Sequence, residues 1–151
     1  MTTFIGDFEC RADTKGRIVM PSAFKKALGE DELRFVVRKD LFENCLVIYP
    51  YSFWKEELIR LRGKLNPYNR KHNRFMRDFF SGSAEFSLDS NGRFLLPKRL
   101  LNLVDIDRDV VLIGVDQRIE LWSAAEYKNI GCDSEELAGL AEDILGEKHD
   151  E

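Results

Sequence analysis

The sequence predicts a β-rich α+β fold made of two copies of one small unit, with helices on its flanks. Three observations lead there. The segment ECRADTKGRIVMP at residues 9–21 returns as EFSLDSNGRFLLP at residues 85–97, an offset of 76. A second pair, FENCLVIYPYSFW at 42–54 and VDQRIELWSAAEY at 115–127, matches at an offset of 73. In both copies the apolar residues come in short runs bounded by turn residues, the pattern of strands. A two-fold repeat of about 75 residues is too long and too few-fold for a solenoid. Two such units are therefore expected to pack together as one pseudo-symmetric domain.

Each unit reads strand, turn, strand, short helix, strand, turn, strand, helix. In the first, at 6–53, Asp13-Thr14-Lys15-Gly16-Arg17 is a tight turn between apolar strands. Asp suits the first turn position because its carboxylate accepts backbone N–H bonds, and Gly supplies a positive φ at little steric cost. Pro21 ends the second strand and suits the first turn of the short helix SAFKKALG. Leu46, Ile48 and Tyr49 mark a later strand that ends at Pro50. Residues 54–81 are expected to be connecting helices. Trp54, Leu58, Leu61 and Leu65 lie at helical spacing, Asn66-Pro67 breaks the helix, and Phe75, Met76, Phe79 and Phe80 share a face of the next one.

The second unit, at 82–128, repeats the plan with Asp89-Ser90-Asn91-Gly92-Arg93, Pro97 and KRLLNLVD. Val110-Val111-Leu112-Ile113 reads as a buried strand. The remainder, 129–151, is expected to be an acidic tail holding a helix over Ser134–Leu145. Ser134 is its expected cap, and Leu137, Leu140, Ile144 and Leu145 form its apolar stripe.

Composition bounds the setting. The chain has 151 residues, 44% of them hydrophobic, enough to bury a core and to exclude wholesale disorder. No apolar run approaches the roughly 20 residues of a membrane helix, and the N-terminus has no signal-peptide core. Cys10, Cys45 and Cys132 are an odd, widely spaced set with no CxxC, which points to a reducing cytoplasm. The net charge of −4 is unevenly spread. From Asp133 onward eight acids face Lys148 alone, while between Lys55 and Arg77 eight bases face Glu56 and Glu57.

Catalytic and cofactor signatures are absent from the sequence. His72 and His149 have no partner at metal-ligand spacing, and no GxSxG, GxxxxGK[ST], GxGxxG or HExxH occurs. Asp13 and Asp89 invite comparison with a two-carboxylate acid–base pair. They lack the small-residue Asp-Thr/Ser-Gly turn of such enzymes, and each has an Arg four residues on that favours ionisation. No enzyme activity, cofactor, metal or small-molecule substrate is expected.

The repeated Asp-x-x-x-Arg carries the functional reading. Asp13, Gly16, Asp89 and Gly92 are assigned to structuring the turns. Arg17 and Arg93 stand at the exits of those turns, on the rim of a sheet. A guanidinium there can make two parallel bonds to a phosphate or to the O6/N7 edge of guanine. Lys15 adds a point charge to the first turn, and Asn91 takes its place in the second.

FECRADTKGRIVMPSAFKKAL, DSNGRFLLPKRL and VLIGVDQRIELW together resemble the MraZ family of bacterial transcriptional regulators, from Phe4 to about Tyr127. The resemblance implies two AbrB-like units, of the swapped-hairpin type, combined into a pseudo-dimeric β-barrel. It also implies ring-shaped homo-oligomers of eight or twelve subunits, double-stranded DNA as the partner, and association with the nucleoid. The expected targets are repeated short G-rich boxes in the promoter of the division and cell-wall gene cluster, with repression of the protein's own operon. Carried over by position, the family's Asp falls on Asp13 and Asp89, its Arg on Arg17 and Arg93, and its basic turn residue on Lys15. Asn91 departs from the Gln often found there. Two rivals stand beside this reading: a ring-forming protein–protein scaffold without specific DNA binding, and an RNA-binding module, which the missing aromatic-rich RNP-type strand disfavours.

Overall fold

A computed structural model describes residues 2–29 and 32–146; the tail residues 147–151 lie outside it. The elements follow in the order β1 (Phe4–Arg11), β2 (Ile18–Val19), α1 (Ser22–Ala27), β3 (Arg34–Lys39), β4 (Leu46–Pro50), α2 (Tyr51–Arg62), α3 (Arg70–Ser81), β5 (Ser83–Ser87), β6 (Arg93–Phe94), α4 (Lys98–Leu103), β7 (Asp109–Asp116), β8 (Arg118–Ser123), α5 (Ala124–Tyr127) and α6 (Ser134–Leu145). The expected succession of strands and helices is thus present in both repeats. Leu65 falls beyond the end of α2, and the side chain that caps α6 is Asp133, one residue before the expected Ser134.

Six strands form one antiparallel sheet in the order β1-β7-β8-β4-β3-β5. That order is symmetric about the β8–β4 pair. The first strand of each repeat lies against the third strand of the other: Phe8 opposes Leu112 in β7, and Phe86 opposes Phe35 in β3. At the centre Leu46 faces Leu121 and Ile48 faces Ile119. These four residues map onto one another at the 73-residue offset. The pseudo-two-fold axis therefore passes beside Val47 and Glu120. It emerges between β2 and β6, which pair only with each other, Ile18 against Phe94.

The expected barrel is not closed. β2 and β6 are two residues long and spend their ladder bonds on each other, so β1 and β5 remain the edges of an open sheet. Side chains fill the open side. Ile18, Met20 and Phe94 of the ribbon, Phe24 of α1 and Leu100 of α4 pack with Phe35, Ile48, Leu112 and Leu121 of the sheet in one core. Phe24 lies edge-on to Phe4 and Phe8, while Phe86 stacks between Phe35 and Phe94. The other face carries a smaller core of Val36, Val47, Tyr49 and Trp54, roofed by α2 and α3. Trp54 stacks on Phe79 at 5.9 Å, which joins the two helices. Among the described residues no helix is long and apolar enough to cross a membrane.

Candidate nucleic-acid interface

Each Asp-x-x-x-Arg segment folds on itself by the same bonds. Asp13 Oδ1 accepts the N–H groups of Lys15 and Arg17, both at 2.9 Å, and Asp89 Oδ1 accepts those of Asn91 and Arg93 at 2.8 and 2.9 Å. Gly16 and Gly92 close the turns at φ +87° and +75°, where any Cβ is strained. Their N–H groups donate to the Asp13 and Asp89 carbonyls. The first turn is also tied to the opposite repeat, because Arg108 donates to the Ala12 carbonyl at 3.0 Å.

The same two carboxylates steer the arginines. Asp13 Oδ2 accepts from Arg17 Nε at 2.8 Å, and Asp89 Oδ2 from Arg93 Nε at 3.3 Å. The Nε bond uses one of a guanidinium's five donors and leaves the outer Nη edge available for a planar acceptor. Backbone N–H donation, first from Arg17 and Arg93 respectively, holds both Asp carboxyls below their ordinary value of 3.8. Both are ionised at neutral pH, which removes the proton-sharing that an acid–base pair needs.

The two turns meet. Arg93 Nη1 lies 3.9 Å from Asp13 Oδ2, across the pseudo-two-fold axis. Alternation along the ribbon turns Ile18, Met20, Phe94 and Leu96 into the core. It turns Arg17, Val19, Arg93 and Leu95 outward, with Val19 and Leu95 exposed. The outward surface is thus two oriented arginines and two apolar side chains, repeated about one axis. Lys15 is exposed on the first turn.

Lys25, on α1, was not expected at this site. A Cβ at Gly92 would lie 2.6 Å from Lys25 Nζ, so the ammonium sits over the second turn. The second turn, which has Asn91 where the first has Lys15, gains a cation from the other repeat. Self-comparison hides Lys25, because the residue 76 positions later is Leu101. Elsewhere the chemistry is quiet. Among the described residues no group of three His, Cys, Asp or Glu is placed to hold a metal ion. Cys10, Cys45 and Cys132 are free thiols, and burial pushes that of Cys45 up to about 12.

Comparison with known proteins agrees with the internal repeat. The family model described as "MraZ protein, putative antitoxin-like" matches twice, over residues 3–67 and 79–143. A protein of Bacteroides thetaiotaomicron named "Transcriptional regulator MraZ" is 41% identical over 150 residues, 99% of this chain and 96% of its own length. Proteins of the same name from Phocaeicola vulgatus and Desulforamulus reducens are 40% and 38% identical. Each alignment covers at least 94% of both chains. A double match in register with the two turns, together with full-length relatives, establishes that this chain belongs to the MraZ family.

Proposed function

We propose that this protein is a sequence-specific DNA-binding transcriptional regulator that acts as a ring-shaped homo-oligomer, of eight or twelve subunits as the family resemblance implies. The observation that carries the reading is the pairing of Arg17 and Arg93 on one outward ribbon, each aimed by its own aspartate. Two oriented guanidiniums related by a pseudo-two-fold suit a two-stranded target, whose strands are themselves related by two-fold axes. Arg17 and Arg93 contact guanine edges or phosphates, and Lys15 adds a phosphate contact. The exchange of first strands between repeats supports the swapped-hairpin AbrB-like reading. The targets are repeated promoter boxes of the division and cell-wall gene cluster, with the protein's own operon repressed and the protein cytoplasmic and associated with the nucleoid.

One copy of this surface is a weak DNA ligand. Counting Asp13, Lys15, Arg17, Asp89, Arg93 and Lys25, the paired turns carry only +2, on a chain of net charge −4. Linking several copies to several boxes raises avidity by about 10²–10⁴ without any new contact. Titrations against operators with one, two and four boxes test this. Affinity is expected to climb steeply with box number and to fall steeply with salt. Equal affinity for one box and four overturns the multivalent mechanism. Absence of binding to the protein's own upstream DNA at low salt favours the scaffold reading instead.

A further inference from the structure

We infer that α6 of one subunit docks in the apolar groove between α2, α3 and the β3–β4 loop of a second copy of this chain. The proposal rests on the ring reading above and names the contact that links its subunits.

The helix and the groove are each half of an interface. α6 is strongly encoded locally: Asp133 accepts from the Glu136 N–H while the Glu136 carboxylate accepts from the Asp133 N–H, a complete capping box. Yet it is only 12 residues long, and every residue in it but Ala141 is exposed. A helix that short is marginal in water unless its apolar stripe is covered. Leu137, Leu140 and Ile144 form that stripe and are 61%, 47% and 65% exposed. Helical geometry puts Glu136 and Asp143 along one side of the stripe and Glu135 and Glu142 on the far face.

The groove has the complementary character. Leu41, Trp54, Leu58, Leu61, Phe75 and Phe79 line it, an aromatic and aliphatic trough left open on the surface. The helices that form it and their connection carry Lys55, Arg60, Arg62, Lys64, Arg70, Lys71, Arg74 and Arg77. Against them stand Glu56, Glu57 and Asp78, and Glu57, which lines the groove, is already held by Arg60. Beneath it Arg38 donates to the Tyr49 hydroxyl and the Lys39 carbonyl, while its buried Nε has no acceptor among the described residues. An apolar helix with acids beside its stripe meets these needs: it covers the trough and matches the surrounding bases.

Both halves belong to one chain, so each subunit gives a helix and receives one, and the contact is heterologous when it gives to one neighbour and receives from another. Repeated contacts of that kind build a ring when the rotation closes.

The test is the mass of the full-length protein in solution, by light scattering on a sizing column. Leu137→Ser, Leu140→Ser and Ile144→Ser together alter only exposed side chains; they are expected to cut the assembly to a fraction of its mass with unchanged circular dichroism of the sheet. Charge reversal gives the specific control. One chain carries Arg62→Glu and Lys71→Glu beside the groove, and the other carries Glu136→Lys and Asp143→Lys beside the stripe of α6, where Asp133 still accepts the backbone N–H of residue 136. Each alone is expected to dissociate, and an equimolar mixture to reassemble. A serine variant that keeps the wild-type mass overturns α6 docking and leaves the ring reading intact. Dissociation of both reversed chains without recovery on mixing overturns this pairing of helix and groove. A wild-type protein that is itself monomeric overturns the docking and the ring reading together.

Discussion

The two Asp-x-x-x-Arg turns share a frame and differ in their cations. Their aspartates accept the same backbone N–H groups within 0.1 Å, and their glycines sit at similar positive φ. Their surroundings diverge. The first turn carries Lys15 in its own loop, whereas the second carries Asn91 and takes Lys25 from a helix of the other repeat. The Arg17–Asp13 bond is 2.8 Å and the Arg93–Asp89 bond 3.3 Å, with Arg93 leaning toward Asp13 as well. Turn geometry is thus duplicated bond by bond, while the charge at each turn is made up from different parts of the chain.

The sharpest way to break this comparison is to remove one arginine at a time. A good bidentate base contact carries about 1–3 kcal/mol of discrimination. Arg17→Ala is expected to abolish specific operator binding once the loss is multiplied over the subunits, with the oligomer and fold intact. Mobility shift beside gel filtration and circular dichroism reads this directly, and an intact oligomer that still binds normally sinks the assignment. Arg93→Ala is expected to follow it closely; a large gap between the two would show that the duplicated turns have separate duties.

Next come the glycines. An L side chain at these positive φ values costs about 1–2 kcal/mol. For a chain of this length each kcal/mol lowers the melting temperature by about 2–4 °C. Gly92→Ala is expected to cost more than Gly16→Ala, because Lys25 must also move, while Gly16 faces only Leu95. Equal shifts in a calorimetric scan would mean that Lys25 is not seated over the second turn.

Smaller still are the lysines. Lys15→Ala and Lys25→Ala are each expected to weaken binding to all DNA sequences alike and to reduce the slope of log affinity against log salt by about one. A slope unchanged by Lys25→Ala would leave the second turn without its cation.

The least effect is on acid stability. Asp13 and Asp89 have folded-state values below the ordinary 3.8. Their contribution to stability is therefore present above that value and lost as pH falls through the lower folded one. Asp13→Asn is expected to lower the melting temperature at neutral pH and to flatten its fall below about pH 4. An unchanged acid limb would show that the carboxylate charge adds nothing beyond what the amide supplies.

Local chemistry explains what the sequence made legible. Asp at the start of a turn, Gly near its end and Pro just beyond the next short strand act within a few residues. The turns, the short helices and the α6 span Ser134–Leu145 could therefore be read from spacing alone. Strand exchange is another matter, because β1 chooses its partner by burial on a sheet assembled from distant segments. The open sheet follows from the brevity of β2 and β6, and no propensity announces a two-residue strand. The placement of Arg17 and Arg93 at two equivalent turn exits was legible because the motif is repeated. Lys25 and Arg108 reach the turns from across the axis, so no spacing within one repeat marks them.

The exchanged first strands also set a timetable for synthesis. Arg11 pairs with Asp109 and Phe4 with Asp116, so β1 has no partner until roughly a hundred further residues have been made. At about 5–20 residues per second that delay is on the order of 5–20 seconds. The first repeat leaves the ribosome complete in sequence and unfinished in structure, with β1 still lacking its partner strand. Contacts this distant make folding slow and aggregation-exposed. A chain truncated after the first repeat is therefore a fragment awaiting a strand, and the repeat that looks like a module in the sequence is half of one in the fold.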